Sequence, residues 1–239
     1  MLPSAPLLVA GVRPDSSPAV AVIAEAIDTA VAGQRRSDAA VLVAPGPRTG
    51  VHADARVDLA GIGRGDIAED HTPHRGAVAA VATALDVEPV WGPRLPLGLA
   101  VLALLLGAGP AVVPVTVADD VDFDTATAVG AAIADVGDAH AWDLVVCAAG
   151  DLSAGHGPSS PRPDVAGAGD YDRQVTDAID TGRLGDLARL GPEWARRVHA
   201  VGWPSLVALH GVVRTAELSL VRRCYGAPCG VGYLVAHGG

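Results

Sequence analysis

The 239-residue chain contains neither lysine nor asparagine, so all 17 of its basic side chains are arginine. Without lysine there is no Schiff base, which excludes pyridoxal-phosphate enzymes and lysine-dependent aldolases. The G-K-[ST] step of a Walker phosphate loop is excluded for the same reason, and without asparagine there is no N-glycosylation acceptor. Aromatic residues are only 3% of the chain, so Tyr171, Trp91, Trp142, Trp194 and Trp203 are expected to anchor the core. Basic residues are outnumbered by 27 acidic ones, for a net charge of −10, and the arginines are scattered. A nucleic-acid partner, which requires a basic patch, is not expected. Three cysteines do not build a disulfide framework. Cys147 reads as a buried small hydrophobe, and Cys224 and Cys229, which could face each other across a turn, read as free thiols of a reducing cytoplasm.

What is present is apolar: half of the residues, enough for a substantial single-domain core over residues 1–239. The start lacks a basic n-region and carries Pro3 and Pro6, so no secretory leader is expected. The uncharged segment Leu95–Ala118 is interrupted by Pro96, Gly98, Gly107, Gly109, Pro110 and Pro114. It reads as a buried helix, Leu97–Leu106, running into a buried strand, Ala111–Val117, and not as a membrane span. Further strands are expected at Pro6–Val12, Ala39–Ala44, Trp142–Ala149, Glu217–Tyr225 and Val231–Ala236, the last two forming a hairpin across Gly-Ala-Pro-Cys-Gly. Helices are expected at Pro18–Ala32 (stopping at Gly33), Val78–Leu85, Phe123–Val136, Tyr171–Asp180, Pro192–Ala200 and Pro204–Val213, with loops over 45–76 and 150–169. The alternation implies an α/β fold: a mixed, mostly parallel sheet with helices on both faces and a C-terminal antiparallel hairpin. Ligands of such sheets bind at the carboxyl ends of the strands, which directs attention to the loops at Val9–Pro14, after Pro45 and at Gly150–Gly169.

Few residues in those loops carry a chemical signature by themselves. Asp151 and Ser153 have the composition of turn residues bonding nearby amides. Ser153 is not in a G-x-S-x-G elbow, because Asp151 stands where a glycine is needed. His156 is the one nearby histidine and a conceivable general base. His71 and His74, with His52 upstream, form the densest histidine group and are the candidates for a zinc hydrolase, although Pro73 between them opposes a shared helical face. Gly61-Ile-Gly63-Arg-Gly65 lacks a dinucleotide fingerprint and reads as a turn. His140, His199, His210 and His237 stand singly.

Three segments in order resemble the class III extradiol ring-cleavage dioxygenases of the LigB type and their Memo-like relatives. They are Ala149-Gly150-Asp151-Leu152-Ser153, then Tyr171-Asp172 opening a helix, then the closing Gly230-Val231-Gly232-Tyr233-Leu234-Val235-Ala236. Leu95-Pro-Leu-Gly98 and the Pro-Val-Thr-Val strand agree. The resemblance implies an iron(II) centre of two histidines and one carboxylate, with a further histidine as acid and base. At the corresponding positions this chain has Ser4, Gly46, Ala154 and a site near Ala200, next to His199. The resemblance therefore implies a pocket lined by Ser4, Gly46, Asp151, Ser153, His156 and His199, with no metal or other cofactor expected. The expected function is binding of a small molecule or a protein partner without ring cleavage. The alternative is an active iron(II) dioxygenase on a catechol-like substrate, with His52, His156 and His199 swung in from shifted positions. Arg162 and Arg173 are the candidates to attract an acidic ligand.

Overall fold

The computed structural model describes residues 1–13, 17–32, 34–54, 56–92 and 94–238; the expected helix stop at Gly33 and the Pro14 end of the first loop lie outside them. Its centre is a four-stranded sheet in the order β2-β5-β1-β6: β2 (Gly50–Val51), β5 (Ala111–Ala118), β1 (Ala39–Gly46) and β6 (Leu144–Ala148). β1 runs parallel to both β5 and β6, and only the short edge strand β2 is antiparallel. β1 is buried on both faces, as its unbroken apolar sequence requires.

Alternate residues of β1 feed two cores. Ala40, Leu42 and Ala44 pack under α1 (Pro18–Ala32) and α3 (Leu97–Leu106). Ala39, Val41 and Val43 pack under α2 (Arg75–Ala84), α4 (Phe123–His140) and α7 (Trp203–Thr215). The segment Leu95–Ala118 is thus an internal helix and strand, and among the described residues no helix is long and apolar enough to cross a membrane. The acidic stretch Asp119-Asp120-Val121-Asp122 precedes α4, and its Asp122 carboxylate accepts the amide of Thr125 at 2.7 Å and caps the positive end of the helix.

A second, antiparallel sheet, β7-β9-β8, carries β7 (Asp151–Ala154), β9 (Val231–Gly238) and β8 (Leu220–Gly226), so the expected closing hairpin is present. Residues Met1 and Leu2 join the two sheets. Leu2 donates to Ala148 at 3.0 Å and accepts from Gly150 at 2.7 Å, while Ala236 donates to Met1 at 3.2 Å.

Several expectations are corrected. Pro6–Val12 is not a strand: Pro6–Leu8 is a 3-10 turn, because the prolines have no amide to give a ladder, and Leu2 extends the sheet instead. The expected loop over 45–76 holds β2 and a hairpin of β3 (Arg56–Leu59) and β4 (Arg64–Asp70). β4 is largely exposed and charged and β3 buries only Val57 and Leu59, so neither has the apolar run that marks a core strand. The loop over 150–169 begins with β7. The helix at Tyr171 starts at Ala168 as α5 (Ala168–Asp180), and that at Pro192 is α6 (Leu187–Arg197), bent at Gly191. Trp91 is 79% exposed and anchors nothing, whereas Trp203 is a core residue.

The closest helix contact is between α4 and α7, where two glycines face backbone. A Cβ on Gly130 would fall inside van der Waals contact of the Ala208 carbonyl, and one on Gly211 inside that of Thr127. Alanine is the better helix former by about 1 kcal/mol. Gly130→Ala should nevertheless destabilise the fold by roughly 3 kcal/mol in urea unfolding, the upper range for an overpacked core. Gly61→Ala, with nothing within 4 Å of the new methyl, is the near-neutral control.

Candidate functional site

At the carboxyl end of β6 the chain passes between Met1 and β9. A Cβ on Gly150 would lie 2.8 Å from the Leu234 carbonyl, so only glycine fits this approach. The next residue, Asp151, is buried. Its carboxylate accepts the Ser4 amide at 3.0–3.1 Å and also the Ser4 hydroxyl. Asp151 and Ser153 are therefore not turn residues bonding local amides but inward-facing members of a buried strand. Burial pushes the Asp151 carboxyl up from its ordinary value of 3.8 to about 6, against the pull of the Ser4 bonds.

The turn between α6 and α7 is held to the same strand, the Gly202 amide donating to the Asp151 carbonyl at 3.0 Å. This turn walls a cleft of about 260 Å³ lined by Asp119, Pro192, Ala195, His199, Ala200 and Trp203, among others. His199 holds a left-handed backbone, φ 56°. Asp119 donates its amide to Gly46 at 2.9 Å, and its carboxyl is pushed up by burial and by Asp120. The indole N–H of Trp203 is buried without a hydrogen-bond partner among the described residues. Across β5, a Cβ on Gly46 would lie 2.9 Å from Thr116 Cγ2. The Thr116 hydroxyl is also 3.4 Å from His52 Nε2. Burial, with Arg48 nearby, holds the His52 imidazole below its ordinary range.

Ser153 and His156 belong to a different cluster, centred on Asp172 of α5. The Asp172 carboxylate, 1% exposed, accepts the Ser153 amide (2.9 Å) and the Tyr225 hydroxyl (2.8 Å), and lies 2.9 Å from His156 Nε2. Burial, and then the Asp172 charge, drive the Tyr225 phenol up, so it stays a donor. Gly232 of β9 passes so close that a Cβ there would strike Asp172 Oδ2, and Gly230, at φ 70°, leaves no room for a Cβ against Ser160. These two approaches are why glycine stands at 230 and 232.

The expected pocket thus divides. Ser4, Gly46, Asp151 and His199 lie around the strand ends, while Ser153 is buried against Asp172 and Ala168 and His156 lines a separate cleft. Arg173 lines a cleft with His156, ion-paired to Asp170, and Arg162 is exposed outside it. His74 caps α2 by accepting the Ala77 amide at 3.0 Å, and His71 Nε2 lies 3.3 Å from Glu69. Among the described residues, no group of three or more His, Cys, Asp or Glu side chains is arranged to hold a metal ion. Nor does the donor set fit an iron(II) held by two imidazoles and a carboxylate. The Ser4 hydroxyl is committed to Asp151, and Gly46, Ala154 and Ala200 offer no donor. Sequence reading missed Asp119, Thr116 and Tyr225 as members of these sites; Tyr225 lies 53 residues from its partner.

No protein-family model matches the chain, and no curated protein matches it. Among solved structures it is similar to the uncharacterized protein JW3007 from Escherichia coli K12, at 14% identity and a TM-score of 0.62, over 88% of this chain and 91% of that one. That likeness establishes a shared fold.

Two outcomes follow. In the unfolded chain Asp151 ionises near 3.8 and in the native one near 6, so between these values the native state holds a proton that the unfolded state has released. Its contribution is full below pH 4 and lost as pH rises to 6, leaving a cost of about 3 kcal/mol at neutrality. Denaturant titrations across this range should show that loss in the wild type and not in Asp151→Asn. Gly232→Ala, by displacing the Asp172 carboxylate, should destabilise by about 1–3 kcal/mol in the same assay.

Proposed function

We propose that the chain is a class III extradiol dioxygenase-like protein in which the metal-holding positions have been exchanged. It binds a small, largely apolar molecule at the strand ends without opening a ring. One observation carries this reading: where the resemblance places the first iron-ligating histidine, Ser4 instead gives its amide and hydroxyl to the buried carboxylate of Asp151. Gly46, at the second such position, supports it. Its surroundings are closed by Thr116, so an imidazole does not fit there without repacking β5. The cleft beside Ala200 and Trp203 remains, its walls mostly apolar with the Asp119 carboxyl, the His199 imidazole and Arg196 at its margin, a few polar groups in an apolar lining as in a small-molecule site. In this reading Asp151 and Ser4 brace the floor of the site and do not touch the ligand's reacting atoms.

The test combines three measurements on protein purified without chelator. Metal analysis should find no stoichiometric iron, and oxygen uptake with catechol should not exceed the buffer rate. Catechol should still change the tryptophan fluorescence saturably, and Ala200→Leu, which fills the cleft, should remove the change. Stoichiometric iron together with oxygen uptake would overturn the proposal.

A further inference from the structure

The cluster around Asp172 is not used by that reading, and its hydrogens can be assigned by counting. The Ser153 hydroxyl donates its single proton to the Ala168 carbonyl at 3.0 Å, so toward His156 Nε2, 2.8 Å away, it can only accept. The other neighbour of Nε2, the Asp172 carboxylate, is likewise an acceptor. Nε2 must therefore carry the proton, shared between the two oxygens. The neutral ring then has its lone pair on Nδ1, which has no hydrogen-bond partner among the described residues. The imidazole is 19% exposed and lines a cleft of about 470 Å³, formed by residues 155–157, 164–170 and 173.

A carboxylate that fixes the tautomer of an imidazole lining a cleft and leaves its other nitrogen without a partner is the arrangement of a general base. What faces it is equally specific. A Cβ on Gly169 would be 4.0 Å from His156 Cε1, the ring carbon between the two nitrogens, so the start of α5 lies against this edge of the imidazole. Gly169 and Asp170 open α5 behind Gly167, which provides no side-chain cap. Neither of their amides has a partner among the described residues. Two free amides beside a base are the donors that a developing oxyanion needs. The exposed Arg173 guanidinium stands in the same cleft, and Asp164 and Asp170 add negative charge that disfavours anionic substrates there.

We infer that this cleft is a second site, a metal-free hydrolytic centre for small, uncharged esters, with His156 as the general base and Asp172 as its positioning residue. His156 Nδ1 takes a proton from water as the water oxygen bonds to the ester carbonyl carbon. The carbonyl oxygen becomes an oxyanion facing the amides of Gly169 and Asp170. As the carbonyl re-forms, the bond to the alcohol oxygen breaks, the leaving group takes the electron pair, and the imidazolium returns its proton to the solvent or the leaving alkoxide. One ester and one water give one acid and one alcohol, with no oxidant or reductant.

The full chain is assayed with p-nitrophenyl acetate, following p-nitrophenolate over many turnovers. His156→Ala should lower the rate roughly 100-fold, the low end of what a positioned base supplies, and added imidazole should restore part of it. Asp172→Asn should lower kcat at least about tenfold with KM unchanged. Its nitrogen-15 NMR spectrum should lose the Nε2–H tautomer of His156 seen in the wild type. Circular dichroism is recorded for His156→Ala and for His156→Gln, which keeps a donor for Asp172 but no base; a native spectrum with the rate lost in His156→Gln separates loss of the base from loss of the fold. A wild-type rate no higher than that of His156→Ala overturns the inference. So does a single-equivalent burst that persists in that variant, which would assign the signal to Cys224 or Cys229. Neither result bears on iron content or oxygen uptake, so this inference and the proposed function fail separately.

Discussion

A buried carboxylate is costly unless donors surround it, and Asp172 is where this chain meets that requirement. Its partners come from separate pieces of the chain: the amide of Ser153 on β7, the hydroxyl of Tyr225 on β8 and the imidazole of His156 in the following loop. The strand β9 then passes at glycine distance. Removing any one partner would leave the charge short of a donor, so the positions of α5, the second sheet and the glycine-rich loop are mutually dependent. The order of the outer half of the molecule is in this sense electrostatic, whereas the central sheet is held by apolar burial on both faces.

Asp151 answers the same problem differently. Among the described residues its carboxylate is hydrogen-bonded by Ser4 alone, which supplies an amide and a hydroxyl. The result is a carboxyl that is half-ionised in the mildly acidic range, while Ser4 and the turn at Gly202 are drawn onto β7. At these strand ends Ser4 and Asp151 form a hydrogen-bonded plug that ties the first residues of the chain to β7.

Much of the fold was legible because the chain's apolar runs are long and cleanly punctuated. Leu97–Leu106 stops at Gly107 with φ 66°, and Ala39–Ala44 and Ala111–Val117 lie within core strands. The β3–β4 hairpin was not legible, since exposed strands such as Arg-Gly-Asp-Ile-Ala-Glu-Asp have no hydrophobic period to read. The candidate sites were half legible. The segment Asp151-Leu-Ser153 with His156 was locatable from its place after a strand. That Ser4 would meet Asp151 and Tyr225 would meet Asp172 depends on contacts across 147 and 53 residues, which no local pattern encodes. The separation of the expected pocket has the same origin: Asp151 meets Ser4 while Ser153 meets Ala168 and His156, and the β7–β9 register is irregular between Asp151 and Ala154.

The backbone-to-backbone seating of α4 on α7 has a mechanical consequence. Where Gly130 and Gly211 let the two helices touch without intervening side chains, there are no rotamers to exchange and no ridge to slide along. That face of the central sheet should behave as a stiff plate, so any accommodation of a guest falls to the hinges at its margin, the bend at Gly191 and the left-handed His199.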